Sequence, residues 1–214
     1  MRQRKIRNEE EKLAALAEFT VSDPINRKGT WSSIFGNGHP ICIEVGCGKG
    51  QFALTMAARH PENNYIAIEG QGSVILRALE KAKKLLLPNI FFVNEFIRDV
   101  GNYFEEGELS GIYLNFSDPW PKDRHAKRRL THSDYLEAYR RILKPGCFIE
   151  FKTDNDDLFA FTVAEFETSG FRIVEWTTDL HGSDLPARLS TTEYEDKFVK
   201  AGRHINYCKA QRPD

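Results

Sequence analysis

The chain has 214 residues, 41% hydrophobic and 12% aromatic, enough to bury one sizeable core and suited to a single domain over 1–214. A formal net charge of −1 excludes a protein that grips polyanions through its overall charge, so any affinity for nucleic acid has to come from local clustering. Cys42, Cys47, Cys147 and Cys208 fall in no CxxC spacing and have no histidines at metal-ligand offsets, which predicts free thiols in a reducing, cytoplasmic setting and no metal.

The first stretch, "MRQRKIRNEEEKLAALAEF", is basic through Arg2, Arg4, Lys5 and Arg7 and then amphipathic, so residues 1–36 read as a basic, helical N-terminal extension. It lacks the apolar core of a signal peptide, and no later run approaches membrane-spanning length, so neither export nor membrane insertion is expected. Short β-rich runs follow, at 41–45, 64–69, 89–94, 111–116, 147–152, 171–177 and 204–209. Helical patterns alternate with them. "QGSVILRALEKAKKLLL" places Ile75, Leu79, Ala82 and Leu86 on one face, and "SDYLEAYRRIL" starts with Ser133 as N-cap. This alternation predicts an α/β domain with a mainly parallel sheet of seven strands. Segment 178–203, polar and broken by Gly182 and Pro186, reads as a functional loop on the rim of the sheet.

Chemistry first appears at "IEVGCGKGQF", a buried strand carrying Glu44, then glycines at 46, 48 and 50, then a helix. Glycines at such a turn let a ligand approach the backbone, and the helix start offers unpaired N–H groups. Glu69, at the end of the next strand, stands where a carboxylate accepts hydrogen bonds from both hydroxyls of a ribose, so the pair points to a nucleoside-containing cofactor. The glycines are spaced GxGxG, whereas a dinucleotide site wants GxGxxG.

With the acid before it, the acid ending the second strand and the "LKPG" turn at 143–146, the GxGxG loop resembles the class I S-adenosylmethionine-dependent methyltransferases, which implies a Rossmann-like sheet with helices on both faces. "NFSDPWPKDRHAKRRL" (115–130), "FKTDN" and "STTEYEDKF" together are similar to three motifs of the bacterial tRNA (guanine-N7-)-methyltransferases, over essentially the whole chain. That resemblance implies methyl transfer from S-adenosyl-L-methionine to N7 of a guanine in the variable loop of tRNA, by a monomer or homodimer. By motif position Asp118 is the catalytic acid and also borders the cofactor. Glu44 holds the methionine end and Glu69 the ribose, with Gly46, Gly48, Gly70, Asn94 and Glu95 completing the cofactor site. Lys122, Asp154, Thr191, Thr192, Glu193 and Tyr194 contact the substrate, in a recognition loop over 178–203. Arg124, His125, Ala126, Lys127, Arg128 and Arg129 bind RNA. One departure stands out: where the family offers an Asp or Asn to the adenine, this chain has Phe96, leaving Asn94, Glu95 or the Phe96 ring itself to meet the base.

The residues suit that reaction. Guanine N7 carries a lone pair and no proton, so no obligatory base is needed, and the ring gains positive charge that a carboxylate at Asp118 stabilises. Glu193 suits the Watson–Crick edge in the same way. Pro119 and Pro121 restrict the loop, and Trp120 offers either a base-stacking surface or a rim aromatic. Lys122, Arg124, Lys127, Arg128 and Arg129 suit phosphates beside that acid. Two other readings compete with this one: a class I methyltransferase acting on a small molecule or protein, and a non-catalytic RNA-binding module.

Overall fold

In the computed structural model, which describes residues 6–97 and 99–214, seven strands form one sheet in the order β3-β2-β1-β4-β5-β7-β6. The strands are β1 (Ile41–Val45), β2 (Asn64–Ile68), β3 (Ile90–Val93), β4 (Leu109–Asn115), β5 (Leu143–Thr153), β6 (Arg172–Thr177) and β7 (Asn206–Gln211). The first five run parallel, and β7 is inserted antiparallel between β5 and β6. The sequence places all seven within two residues at either end, except that β5 starts four residues earlier than expected. Arg2, Arg4 and Lys5 lie outside the described residues.

Alternation along the strands feeds two cores. Ile41, Ile43, Val45, Ile66 and Ile68 point to one face, where α5 (Ser133–Ile142) contributes Leu136, Tyr139 and Ile142, and α6 (Asp156–Thr168) adds Leu158, Phe159 and Phe166. Cys42, Tyr65, Ala67, Phe92 and Tyr113 point to the other, under α3 (Gln51–Arg59) and α4 (Gly72–Leu85). Leu13 and Leu16, at and beyond the end of the short N-terminal helix α1 (Glu9–Ala14), join this second core. A second short helix, α2 (Ser32–Phe35), precedes β1, with Trp31 at its start fully buried in the first core. Helices therefore cover both faces, as a parallel sheet requires. Among the described residues all four cysteines are free thiols, and no helix is long and apolar enough to cross a membrane.

Four local expectations are corrected. Leu86 leaves the apolar face of α4: it takes a left-handed conformation, φ 50°, ends the helix and is exposed. Ser133 is the first residue of α5, and His132 is its cap, with Nδ1 accepting the Asp134 N–H at 3.2 Å. The 143–146 stretch is no separate turn but the start of β5, where Leu143 pairs with Leu109 and the ladder resumes at Phe148 opposite Gly111. Segment 178–203 is not a bare loop. It carries a 3-10 turn at Pro186–Leu189 and helix α7 (Glu193–Lys200), which starts from a reciprocal cap: Thr192 Oγ1 accepts the Glu195 N–H, and Glu195 reaches back to the Thr192 N–H.

Two glycines of the loop after β1 do different work. Gly50 has φ 77°, and a Cβ there would lie 2.6 Å from the Ala78 Cβ on α4, whereas Gly46, φ 81°, faces open space. Gly46→Ala should cost only the left-handed strain, about 1–2 kcal/mol, while Gly50→Ala should add overpacking of about 1–3 kcal/mol. Urea denaturation of the two variants checks this; equal losses would mean that α4 yields freely at Ala78.

Candidate active site

The loops after β1, β2, β3 and β4 meet at the carboxyl ends of the strands, where the order reverses between β1 and β4, the place where open α/β sheets bind ligands. The glycine loop is anchored from beneath: the N–H groups of Gly46 and Cys47 both donate to Ile68 O at 2.9 Å. Glu69 extends this link. Its Oε2 accepts the Gly48 N–H at 3.1 Å and its Oε1 the Gln71 N–H at 2.9 Å, so the carboxylate is fixed at the rim with lone pairs to spare. Phe96 packs against the next residue, since a Cβ on Gly70 would fall 2.3 Å from its ring, and Phe96 as a whole is 71% exposed. Glu95 accepts the Tyr103 hydroxyl at 2.8 Å, and Asn94 is exposed.

Glu44 is buried between β1 and β4. Its Oε1 accepts the Asn115 side-chain N–H at 2.9 Å, and its Oε2 is buried with no hydrogen-bond partner among the described residues. Burial pushes this carboxyl up to about 7, against the lowering effect of the Asn115 bond. An orphaned carboxylate oxygen below a glycine cradle that has room for more than a Cβ at Gly46 and Gly48 fits a ligand with an ammonium at one end and a nucleoside at the other.

A cleft of about 320 Å³ joins this cradle to the loop after β4; Gly46, Glu69, Gly70, Glu95, Phe96, Asp118, Trp120 and Arg128 all line it. Asp118 is exposed there. Two non-glycine residues of the loop, Phe116 and Trp120, hold left-handed φ of 52° and 42°. Arg129 holds it from behind, donating to Pro119 O at 3.1 Å and Trp120 O at 3.2 Å while its guanidinium lies 4.3 Å from the Phe161 ring centre. That placement commits Arg129 to the carbonyls of the loop and to the Phe161 ring. The other basic residues spread along a 3-10 turn, Asp123–Arg128. Arg128 covers one face of Trp120 at 4.8 Å and His125 meets its edge, while Lys122, Arg124 and Lys127 point to solvent. Ala126 is half-buried.

The remaining expected substrate residues lie outside this cleft wall, on segment 178–203 and at the end of β5. Asp154 is paired with Arg203 at 3.5 Å. Gln51, the first residue of α3, donates to Thr191 O and Oγ1 at 3.3 Å and to Asp196 at 2.8 Å, while Glu193 is paired with Lys81, which also donates to Lys49 O at 2.9 Å. The segment is thus clamped onto the glycine loop. Thr192 is engaged in its cap, and Tyr194 stacks on Phe198 with its ring 5.2 Å from that of Phe116.

Sequence reasoning missed what holds this segment. Lys152 of "FKTDN" is 1% exposed and donates to Ala187 O at 2.8 Å, Ser190 O at 2.7 Å and the Glu195 carboxylate at 3.3 Å. Glu195, itself fully buried, also meets His181 Nε2 at 2.8 Å. Burial lowers the Lys152 ammonium from its ordinary value, and Glu195 opposes that shift. Two signals were present: a lysine within an apolar strand run, and the T-x-x-E spacing of Thr192 and Glu195 that marks a helix start.

The "Putative methyltransferase" family matches residues 38–208. The chain is 44% identical over 203 residues to a tRNA (guanine-N(7)-)-methyltransferase of Geobacillus thermodenitrificans, covering 95% of this chain and 94% of that one. It is 46% identical over 210 residues to the protein of the same description from Streptococcus uberis, covering 98% and 99%. Among solved structures, the 16S rRNA methyltransferase KamB superposes with a TM-score of 0.64 over 87% of this chain and 94% of that one at 9% identity, a likeness of fold.

The raised Glu44 carboxyl has a consequence for stability. Its folded value of about 7 lies above the ordinary 4.5, so the native state holds a proton that the unfolded chain releases between those values. The stabilising contribution is complete below pH 4.5 and is lost as pH rises through 7, a fall of about 3 kcal/mol for a shift of this size. Glu44→Gln should remove that dependence. Chemical denaturation from pH 5 to 8 checks it: the wild type should lose stability relative to the variant as pH rises, and parallel curves would refute the shift.

Proposed function

The chain belongs to the family of the tRNA (guanine-N(7)-)-methyltransferases, and on that premise we propose that its cleft presents a guanine of the tRNA variable loop to the methyl donor, with Asp118 beside the reacting base. The enzyme transfers a methyl group from S-adenosyl-L-methionine to guanine N7 in tRNA. The observation that carries the residue assignment is the cleft in which Gly46, Glu69, Asp118 and Arg128 meet.

S-adenosylmethionine, when bound, supplies a methyl carried on a sulfonium centre. The residues that would hold it are Glu44 through its free Oε2 at the ammonium end, the open backbone of Gly46 and Gly48, and Glu69 at the ribose. The exposed Phe96 against Gly70 offers the adenine a stacking face, where family resemblance alone would look for an acid. The protein has no proton to abstract from N7, so its part is alignment and charge. Asp118 accepts from guanine N–H donors and stabilises the positive charge that the ring acquires. Lys122, Arg124 and Lys127, turned to solvent beside that acid, attract the phosphates, and Thr191 to Tyr194 with Asp154 form the opposite side of the base site. Arg128 and His125 serve RNA binding through Trp120, which they frame. Arg129 supports the loop. We place the enzyme in the cytoplasm with tRNA as its partner. One chain carries every group named, so the reading needs no second copy.

Incubation with unmodified tRNA and methyl-labelled S-adenosylmethionine, followed by nucleoside analysis, should place the label in 7-methylguanosine; label in any other nucleoside would overturn the target atom. Asp118→Ala should lower kcat by about 100-fold or more while cofactor affinity, measured by calorimetry, is retained. Full activity in that variant would remove Asp118 from the mechanism. Replacing Arg124 and Lys127 by Ala should weaken tRNA binding and flatten the slope of log affinity against log salt by about one to two. An unchanged slope would place the phosphates elsewhere.

A further inference from the structure

The Lys152 ammonium touches no part of the cleft, and all its polar partners lie on the segment that follows β6. It donates to the carbonyls of Ala187 and Ser190 and to the buried Glu195 carboxylate, at 2.7 to 3.4 Å. Three N–H groups are thereby matched to three acceptors within nine residues of chain. His181, from the start of the same segment, closes on the other side of Glu195, and Leu180 N–H donates to Ile205 O at 2.8 Å. The segment is therefore wound around one buried cation, with a small core of Leu180, Ile205 and Tyr207 beside it.

The same residue reaches the acid loop through its backbone. Lys152 lies opposite Asn115 in the β4–β5 ladder, and its carbonyl accepts the N–H of Phe116, two residues before Asp118, at 2.9 Å. Phe116 packs on that small core, and its ring meets Tyr194 at 5.2 Å. Two pathways of contact, one from the side chain and one from the main chain, leave Lys152 for the two walls between which a base has to fit.

We infer that Lys152, through its buried bonds to Ala187, Ser190 and Glu195, is a positioning residue that sets the Thr191–Tyr194 wall against the Asp118 loop and thereby governs tRNA presentation independently of cofactor binding. This rests on the reading that these two walls hold the guanine. A merely structural ion pair would regain activity together with stability when both members are replaced by apolar groups, a replacement that commonly restores stability. Methionine fills the lysine's volume but cannot bind two carbonyls.

The test compares Lys152→Met with the paired variant Lys152→Met/Glu195→Leu. The readouts are melting temperature, S-adenosylmethionine Kd by calorimetry, kcat/KM for tRNA, and amide hydrogen exchange. The single variant should lose both stability and activity, since it leaves Glu195 buried without its cation. The paired variant should recover part of the melting temperature, short of wild type because the Ala187 and Ser190 carbonyls keep no donor, and bind cofactor within twofold of wild type, yet keep kcat/KM for tRNA at least tenfold down. Exchange should quicken within 178–203 and at 116–120. A paired variant with wild-type kcat/KM overturns the inference, as does a parallel loss of cofactor affinity. A paired variant that does not fold makes Lys152 a folding residue and overturns it too. Failure of the wild type to methylate tRNA would instead defeat the functional reading itself, so the two failures are distinct.

Discussion

The site depends on one constraint of topology: β1 and β4, far apart in sequence, are neighbours in the sheet, and the chain leaves their carboxyl ends in opposite directions. The bond from Asn115 to Glu44 spans that junction and is buried. In register with Asn115 across the next ladder stands Lys152, so a row of polar side chains crosses three strands just below the loops. Beneath that row Tyr113 and Phe148 of the sheet and Phe52 of α3 meet edge to face, at 5.0 and 5.7 Å. Polar groups so deep in a parallel sheet each need a partner. Lys152 and Asn115 have theirs, whereas Glu44 keeps one buried oxygen without a partner among the described residues.

A chain with almost no net charge has to build its affinity for a polyanion from the sorting of its cations. Arginine suits this because its planar fork can serve backbone carbonyls, aromatic faces or phosphates. Arg129 uses the fork inward on Pro119 and Trp120, Arg128 lies over the Trp120 ring, and Arg124 and Lys127 remain for solvent and ligand. Consecutive basic residues thus have different jobs, one supporting the loop and others offering charge. A basic run in the sequence overstates the positive surface by the number of its members that turn inward.

The strands and the glycine loop were legible because burial on two faces leaves continuous apolar runs and because left-handed turns demand glycine. Glu69 was legible for a similar reason, since a carboxylate at the end of β2 can meet the loop after β1 only if the two strands are adjacent. What escaped the sequence was side-chain commitment. Nothing in "RR" tells Arg128 from Arg129, and Glu195 reads as one more acid in a polar stretch until the fold brings Lys152 beneath it. Leu86 fits the helical period of α4, but the period does not say where the backbone turns left-handed. Helix α7 was the avoidable omission, for its reciprocal cap is written in Thr192 and Glu195.

The loop carrying Asp118 shows how such commitments produce function. Non-glycine residues at φ of 52° and 42° cost about 1–3 kcal/mol each, so Phe116 and Trp120 hold those conformations only because the surroundings impose them. Phe116 is pinned by Lys152 O and packed against the small core of the recognition segment, while the carbonyls of Pro119 and Trp120 are drawn to Arg129, itself set against Phe161 of α6. The two strained residues bracket Ser117, Asp118 and Pro119, and their anchors come from β5 on one side and α6 on the other. On the reading that Asp118 faces the reacting base, an acid fixed at both flanks needs little reorganisation when charge appears there, which is what electrostatic stabilisation of a transition state requires. The same anchoring makes the loop dependent on parts of the chain that never touch a ligand, so its precision rests on the packing of β5 and α6 as much as on Asp118.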